Sequence, residues 1–319
     1  MAHFLLRLAL AVVCLLAGEG ALARNAAGEE IGVIVHGHTH GFFRGLERGM
    51  RKAADDLGVR LLVRSLSERA IMDNPDNLHL RIIDYMLSQK VAGIVMAPET
   101  LKGVDTPVSL PVPLVLVDRD GPQYDARSTV STDNFAAGRA AALSLASVLA
   151  KGANVMVLRL RPDVPSTLQR EEGFISVAVE KGWNVVGDPF VGNRFRETEE
   201  YIARLLQGHG GKLDAVFAPN ESVAFGAVRV VGAMAPQSRP RLATIDWRPE
   251  FRQALEDGTL SASVLQDNES MGYRAVAVAV AASRGKDVPV RVSVDFAVIT
   301  RANMNEPALQ RMSVNYELP

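Results

Sequence analysis

Apolar and polar positions follow two periods that take turns along this chain, and the first turn sets the pattern for the rest. Ile31-Gly32-Val33-Ile34-Val35 is a short unbroken apolar run, as expected of a strand covered on both faces. A polar loop carrying His36, His38 and His40 follows. From Phe43 the residues Phe43, Leu46, Met50, Ala53, Ala54 and Leu57 then recur at three- and four-residue steps, one stripe of a helix that packs back on a sheet. Ligands of open α/β sheets bind beyond the carboxyl ends of the strands, so the loop from His36 to Phe42 is the first place to look for chemistry.

The unit repeats. Strands are predicted at 61–63, 91–96, 112–117, 155–158, 184–186, 215–218, 242–245 and 261–265, and helices at 81–88, 135–149, 167–181, 198–208, 221–231, 249–256 and 271–284. Such alternation means parallel, doubly wound sheets. Asp133 or Asn134 is placed to cap the helix at 135. Ser166 and Gln169 have capping-box spacing, which starts a helix near residue 167 and puts Arg170 in its first turns. A cation is unfavourably placed at that positive helix end, so a partner or a ligand anion or hydroxyl is expected beside it. After residue 288 the alternation from Val290 to Val298 predicts one last strand, followed by an irregular finish.

Length changes the picture from one lobe to two, because 319 residues exceed what a single core usually holds. Lys and Arg number 35 against 36 Asp and Glu, a net charge of -1, which argues against nucleic acid as a partner. Residues 1–23 combine a weakly basic start, an apolar core and the small residues Ala21 and Ala23 at cleavage spacing, so they read as a signal peptide cut after Ala23. The apolar run is short for a membrane span and is interrupted by Arg7. The single cysteine, Cys14, lies inside that segment, and Val12-Val13 before it lack the small residue that lipid-modified cysteines follow. The mature chain then has no thiol or disulfide, and an oxidising periplasm poses no hazard to it.

Catalytic signatures are lacking. There is no nucleophile elbow, and the glycine-rich stretch around Gly208 lacks the Ser or Thr after Lys212 that a phosphate loop requires. Asp118 and Asp246 could be nominated as a glycosidase pair, but nothing in the sequence marks either as a raised-pKa acid. His36, His38 and His40 would share one face of an extended segment; with no Cys or fourth His nearby, no metal site is assigned, and no cofactor is expected.

Taken together, the segments HGFFRGLERGMRKAADDLGV, VAGIVMAP, VPLVLVDRDG, STDNFAAG, QREEGF, DAVFAPNESVAFGAV, LATIDW and SASVLQDNESMG resemble the type I periplasmic sugar-binding proteins, the ribose-binding branch above all. LacI-type repressor cores share the superfamily, but they need a helix-turn-helix where this chain has its leader. The resemblance implies an α/β fold of two doubly wound parallel-sheet lobes joined by three crossings, near Ser131, Gln266 and Phe296. It gives 24–132 plus 267–295 to the N-terminal lobe and 133–266 plus 296–319 to the C-terminal lobe. Residue by residue it implies a ligand site of His40, at a position usually held by Asn, the aromatic pair Phe42 and Phe43, Asp118 with Arg119, then Arg170, Asn220, Asp246 and Gln266. Arg194, with Phe195 beside it, stands where the family often has an aromatic, and Trp247 replaces a glycine, which would narrow the pocket or add a stacking plate.

Carboxylate and guanidinium groups bridge adjacent sugar hydroxyls, and rings cover the apolar C–H faces. Plainer roles stay open: Phe43 in the core, Asp118-Arg119 in a surface turn, Asn220 as a helix cap, Asp246 paired with Arg248 at the surface. If Arg119, Arg170 and Arg194 all face one cleft, the ligand would be acidic or phosphorylated. The implied function is that of a monomeric periplasmic solute-binding protein that presents a sugar to a membrane ABC importer. The alternative is a sensor that docks on a histidine kinase or chemoreceptor.

Overall fold

The computed structural model describes residues 28–37, 40–67 and 77–318; the leader and His38 lie outside the described residues. The first sheet is built from β1 (Glu30–His36), β2 (Arg60–Leu66), β3 (Gly93–Met96), β4 (Leu114–Val117), β5 (Ser128–Thr132) and β11 (Arg291–Val294), in the order β11-β5-β4-β3-β1-β2. All its pairs are parallel. The second sheet contains β6 (Asn154–Val157), β7 (Asn184–Gly187), β8 (Ala215–Ala218), β9 (Arg241–Ile245), β10 (Ala262–Gln266) and β12 (Phe296–Thr300), in the order β12-β10-β9-β8-β6-β7. Only β12 runs antiparallel to its neighbour. The strand order is the same in both lobes, and in each it reverses beside the first strand, the place where such sheets bind ligands.

Helices cover the sheets: α1 (Gly41–Leu57), α2 (Leu78–Ser88) and α8 (Asn268–Ser283) on the first lobe, α3 (Asn134–Leu143), α4 (Pro165–Lys181), α5 (Phe195–Gly208), α6 (Glu221–Gly232) and α7 (Pro249–Glu256) on the second. The chain crosses between lobes three times, after β5, after β10 and between β11 and β12. After each of the first two crossings a helix lies unusually close to the helix that follows the first strand of its new lobe. A Cβ on Gly272 of α8 would sit 1.9 Å from Leu46 O of α1, and a Cβ on Gly138 of α3 would sit 1.9 Å from Arg170 O of α4. Glycine is the residue that lets the backbones approach this far.

Five local readings need correction. β5, in the sequence STVST, has one strongly apolar residue, Val130, yet all five positions are buried because β4 and β11 flank it. The single late strand is two, broken at Asp295, whose carbonyl accepts from Asp267 N–H (3.1 Å) at the adjoining crossing. Helix α3 stops at Leu143, where the backbone tightens into i→i+3 bonds such as Leu145 N to Ala142 O. Helix α4 starts at Pro165 with no side-chain cap, since a proline at the first helical position is already set for the helix. The tail is also not irregular: α9 (Pro307–Glu317) closes the chain, again with Pro at its start. No helix among the described residues is long and apolar enough to cross a membrane.

Candidate functional site

The carboxyl ends of the two sheets face each other across a cavity of ≈ 90 Å³. From the first lobe, His36 ends β1 and His40 precedes α1, followed at once by Phe42 and Phe43. Phe43 stacks on the His36 ring at 4.8 Å, and Phe42 meets Phe43 edge-on at 5.1 Å. Both phenylalanines are buried and both line the cavity, so core packing and cavity lining coincide in them. Asp118 follows β4 and Asp246 follows β9 in the same way: each donates its N–H to the next strand, Asp118 to Val130 O (3.0 Å) and Asp246 to Val264 O (2.9 Å). Each then takes a left-handed backbone, φ 74 and 76, which turns its carboxylate into the cleft. Asp is among the residues that tolerate this conformation.

One polar chain runs through the first lobe and across. Arg119 Nε donates to Asp118 Oδ2 (2.9 Å) and Arg119 Nη1 to Glu99 Oε1 (3.1 Å). Glu99 lies 2.9 Å from His36 Nε2 and, from the other lobe, 3.5 Å from Arg161 Nη2. Burial alone pushes the Glu99 carboxyl up, but His36, Arg119 and Arg161 together hold it down at about 2. Arg119 itself is kept protonated against burial by Asp118 and Glu99.

A second chain belongs to the other lobe. Arg170 Nε donates to Asn134 Oδ1 (2.8 Å) and Nη1 to Pro219 O (3.0 Å), with Asp246 at 3.7 Å. This is the partner set that its place near a helix start calls for. Asp133, not Asn134, caps α3, accepting from Ala136 N (2.9 Å). Asp246 accepts from Glu221 N (3.0 Å) and Gln266 Nε2 (2.6 Å); burial raises its carboxyl despite the opposing pull of Arg170 and that bond. It is buried on these partners, while Arg248 pairs with Glu221 and Glu250. Gln266 Oε1 is buried with no protein hydrogen-bond partner, a carbonyl left for something in the cavity. Asn220 caps α6 through Val223 N (3.4 Å) and also lines the cavity.

Glu221 reaches across. Its carboxylate accepts from Gly41 N and Phe42 N at the start of α1 (3.4 Å each), stands 3.5 Å from His40 Nδ1, and takes Arg248 Nη1 at 3.2 Å. Thr100 Oγ1 to Asp163 O (3.0 Å) and Gln169 Nε2 to Asp120 Oδ2 (3.3 Å) add two further cross-lobe bonds.

His40, Phe42, Phe43, Asp118, Arg119, Arg170, Asn220, Asp246 and Gln266 are thus gathered around one cavity. Arg194 is not. It stands at the N-cap of α5, 63% exposed and 3.8 Å from Glu197, in an outer chamber of ≈ 560 Å³, while its neighbour Asn193 reaches the inner wall. Trp247 supplies no stacking plate, because its ring is buried against Phe251 and its Nε1 donates to Glu317 (3.0 Å). The premise of an acidic ligand goes with Arg194: facing the cavity are the carboxylates of Glu99, Asp118, Glu221 and Asp246 against the guanidiniums of Arg119, Arg161 and Arg170. Among the described residues no three His, Cys, Asp or Glu side chains are placed to hold a metal ion.

Two lobes of identical strand order, three crossings and a polar cleft between the carboxyl ends define a binding protein of the two-lobed type I class. Residues 31–287 match the family model described as periplasmic binding protein domain, and the chain belongs to that family. Over 275 residues it is 26% identical to the ribose import binding protein of Bacillus subtilis, covering 85% of this chain and 87% of that one. The ribose import binding protein of Escherichia coli is 25% identical over 286 residues, 88% of this chain and 93% of its own. Among solved structures, the periplasmic component of an ABC-type sugar transport system from Hahella chejuensis superposes with a TM-score of 0.74 at 29% identity, covering 85% of this chain and 99% of that chain.

Proposed function

We propose that this protein is a periplasmic solute-binding protein that captures a neutral sugar between its lobes and presents it to a membrane ABC importer. The observation that carries the reading is the cavity itself, where buried carboxylates, guanidiniums and the unpartnered Gln266 Oε1 surround a pair of phenylalanines. Those are the groups that bridge hydroxyls and cover C–H faces. The near balance of carboxylates and guanidiniums favours a neutral ligand. The names of the relatives point the same way, and a solute-binding protein from Agrobacterium radiobacter, 25% identical with a TM-score of 0.77 over 90% of this chain and 99% of its own, was solved with D-arabinose. In this reading residues 1–23 are a cleaved leader, the protein works as a monomer without cofactor or catalysis, and the lobes are 24–132 plus 267–295 and 133–266 plus 296–319.

Mechanistically, the lobes bend about the three crossings, and a ligand that bonds to both shifts them toward closure, as periplasmic binding proteins do. An affinity on the order of micromolar, about -8 kcal/mol, is within reach of a few charge-assisted bonds and ring contacts after the costs of binding. The test is thermal unfolding of the chain from residue 24 against neutral pentoses and hexoses, sugar acids and sugar phosphates, since binding to the folded state alone raises the midpoint. A rise with one neutral sugar supports the reading. A rise only with acids or phosphates, or with none of the panel, sinks it. Stimulation of a reconstituted ABC permease by the loaded protein supports import, and its absence redirects the loaded form to a sensor kinase or chemoreceptor.

A further inference from the structure

Helix α9 lies beyond residues 31–287 that the family model matches, and it grips both lobes. On the first-lobe side, Arg44 of α1 donates from Nε to Leu318 O (3.2 Å) and from Nη2 to Tyr316 O (3.0 Å). Arg48 donates to Leu318 O (3.1 Å) and to Asn315 O. Two guanidiniums therefore cover carbonyls that a helix C-terminus leaves unpaired, and their charge suits that end of the helix dipole. On the second-lobe side, Trp247 Nε1 holds Glu317.

Between these anchors stands Tyr316, 1% exposed. Its hydroxyl accepts from Gln266 N (3.0 Å) and donates to Gln266 O (3.2 Å). Its ring centre is 6.3 Å from that of Phe42, and a Cβ on Gly41 would come within 2.2 Å of its carbonyl oxygen. Gln266 is the last residue of β10, one step before the crossing at residue 267, and its side chain both holds Asp246 and leaves Oε1 buried without a partner.

We propose that Tyr316 is a positioning residue for ligand binding: by gripping both backbone polar groups of Gln266 it fixes the side chain that steers Asp246 and offers a carbonyl oxygen to a ligand hydroxyl, and through α9 it ties this corner to the first lobe. The inference rests on the cavity being the ligand site. A tyrosine kept only for packing would be replaceable by phenylalanine, because the ring contact with Phe42 survives. The hydroxyl is the part that reaches Gln266.

The test is Tyr316→Phe in the chain from residue 24. By calorimetric titration with D-ribose, D-arabinose, D-allose, D-fucose and D-tagatose, the sugar that binds the parent protein should bind the variant about 5- to 30-fold more weakly, the loss expected for a buried hydrogen bond. Unchanged affinity overturns the proposal. If none of these sugars binds the parent, the sugar reading fails, and a ligand-free measurement decides the positioning role instead. Spin labels are placed on Lys102→Cys and Glu197→Cys, which stand in opposite lobes of a mature chain with no cysteine of its own. Tyr316→Phe should then move the inter-lobe distances outward and broaden them. An unchanged distribution overturns the tie between the lobes and with it the proposal.

Discussion

Asp118 and Asp246 hold equivalent places in the two lobes, each on a left-handed backbone after the fourth strand of its sheet, but their surroundings make them respond differently to substitution. The Asp118 carboxylate bonds to Arg119, which keeps Glu99 as a second partner, so Asp118→Asn leaves Arg119 paired. The variant should fold at close to the parent midpoint and lose at least about tenfold in sugar affinity, with about 1.4 kcal/mol corresponding to each tenfold. Titration calorimetry beside thermal unfolding checks both halves. Arg170 is different. It is 2% exposed and stands 3.7 Å from the buried Asp246, so Arg170→Ala should cost about 3–5 kcal/mol of stability as well as binding.

A pH prediction also belongs to single residues. His79 is held down to about 4 by burial and by His36, so in folded protein it stays neutral where the unfolded chain takes up a proton. Stability is therefore full above pH 6.5 and falls as pH drops toward 4, by about 3 kcal/mol at most. Glu99, lowered to about 2, adds a second loss between pH 4.5 and 2. His79→Leu should remove the first decline and keep the second, as read by urea unfolding at a series of pH values. Much of the cavity was legible through the family resemblance, which places Asp118, Asn220, Asp246 and Gln266 at or just beyond strand ends, and the four line the cavity. Glu221 was hidden, since an acid in the first turn of a helix is ordinary chemistry and nothing local shows it crossing to α1. Arg194 misled because a helix start leaves the side-chain direction undetermined.

At the scale of elements, the close helix pairs α1–α8 and α3–α4 lock the chain just after it crosses between lobes. Gly272→Ala must push Leu46 O away from 1.9 Å, and overpacking of this kind costs about 1–3 kcal/mol. Gly208→Ala, with nothing within 4 Å of its added Cβ and no positive φ, should be neutral or slightly stabilising. Differential scanning calorimetry of the two variants separates close approach from general glycine loss. Alternation of period made the strand and helix sequence readable across both lobes. It failed at β5, where STVST is buried by its neighbours and not by its own hydrophobicity, and at the tail, where a continuous alternating pattern conceals the break at Asp295 that sends β11 and β12 to different sheets.

At the scale of the whole molecule, the described bonds that cross the cleft include Glu99 to Arg161 and Glu221 to α1, joined by Thr100 to Asp163 and Gln169 to Asp120. A sugar in the cavity would join them by bonding to Asp118 and Arg119 from one side and to Arg170, Asn220 and Asp246 from the other. The measurement that tests this most directly is a crystal structure of the chain from residue 24 with the neutral sugar that raises its unfolding midpoint most. The account predicts one sugar ring between the lobes, its face on Phe42 or Phe43, with hydroxyls on the carboxylates of Asp118 and Asp246 and on Gln266 Oε1. A sugar seated in the outer chamber beside Arg194, or held by one lobe alone, would contradict it.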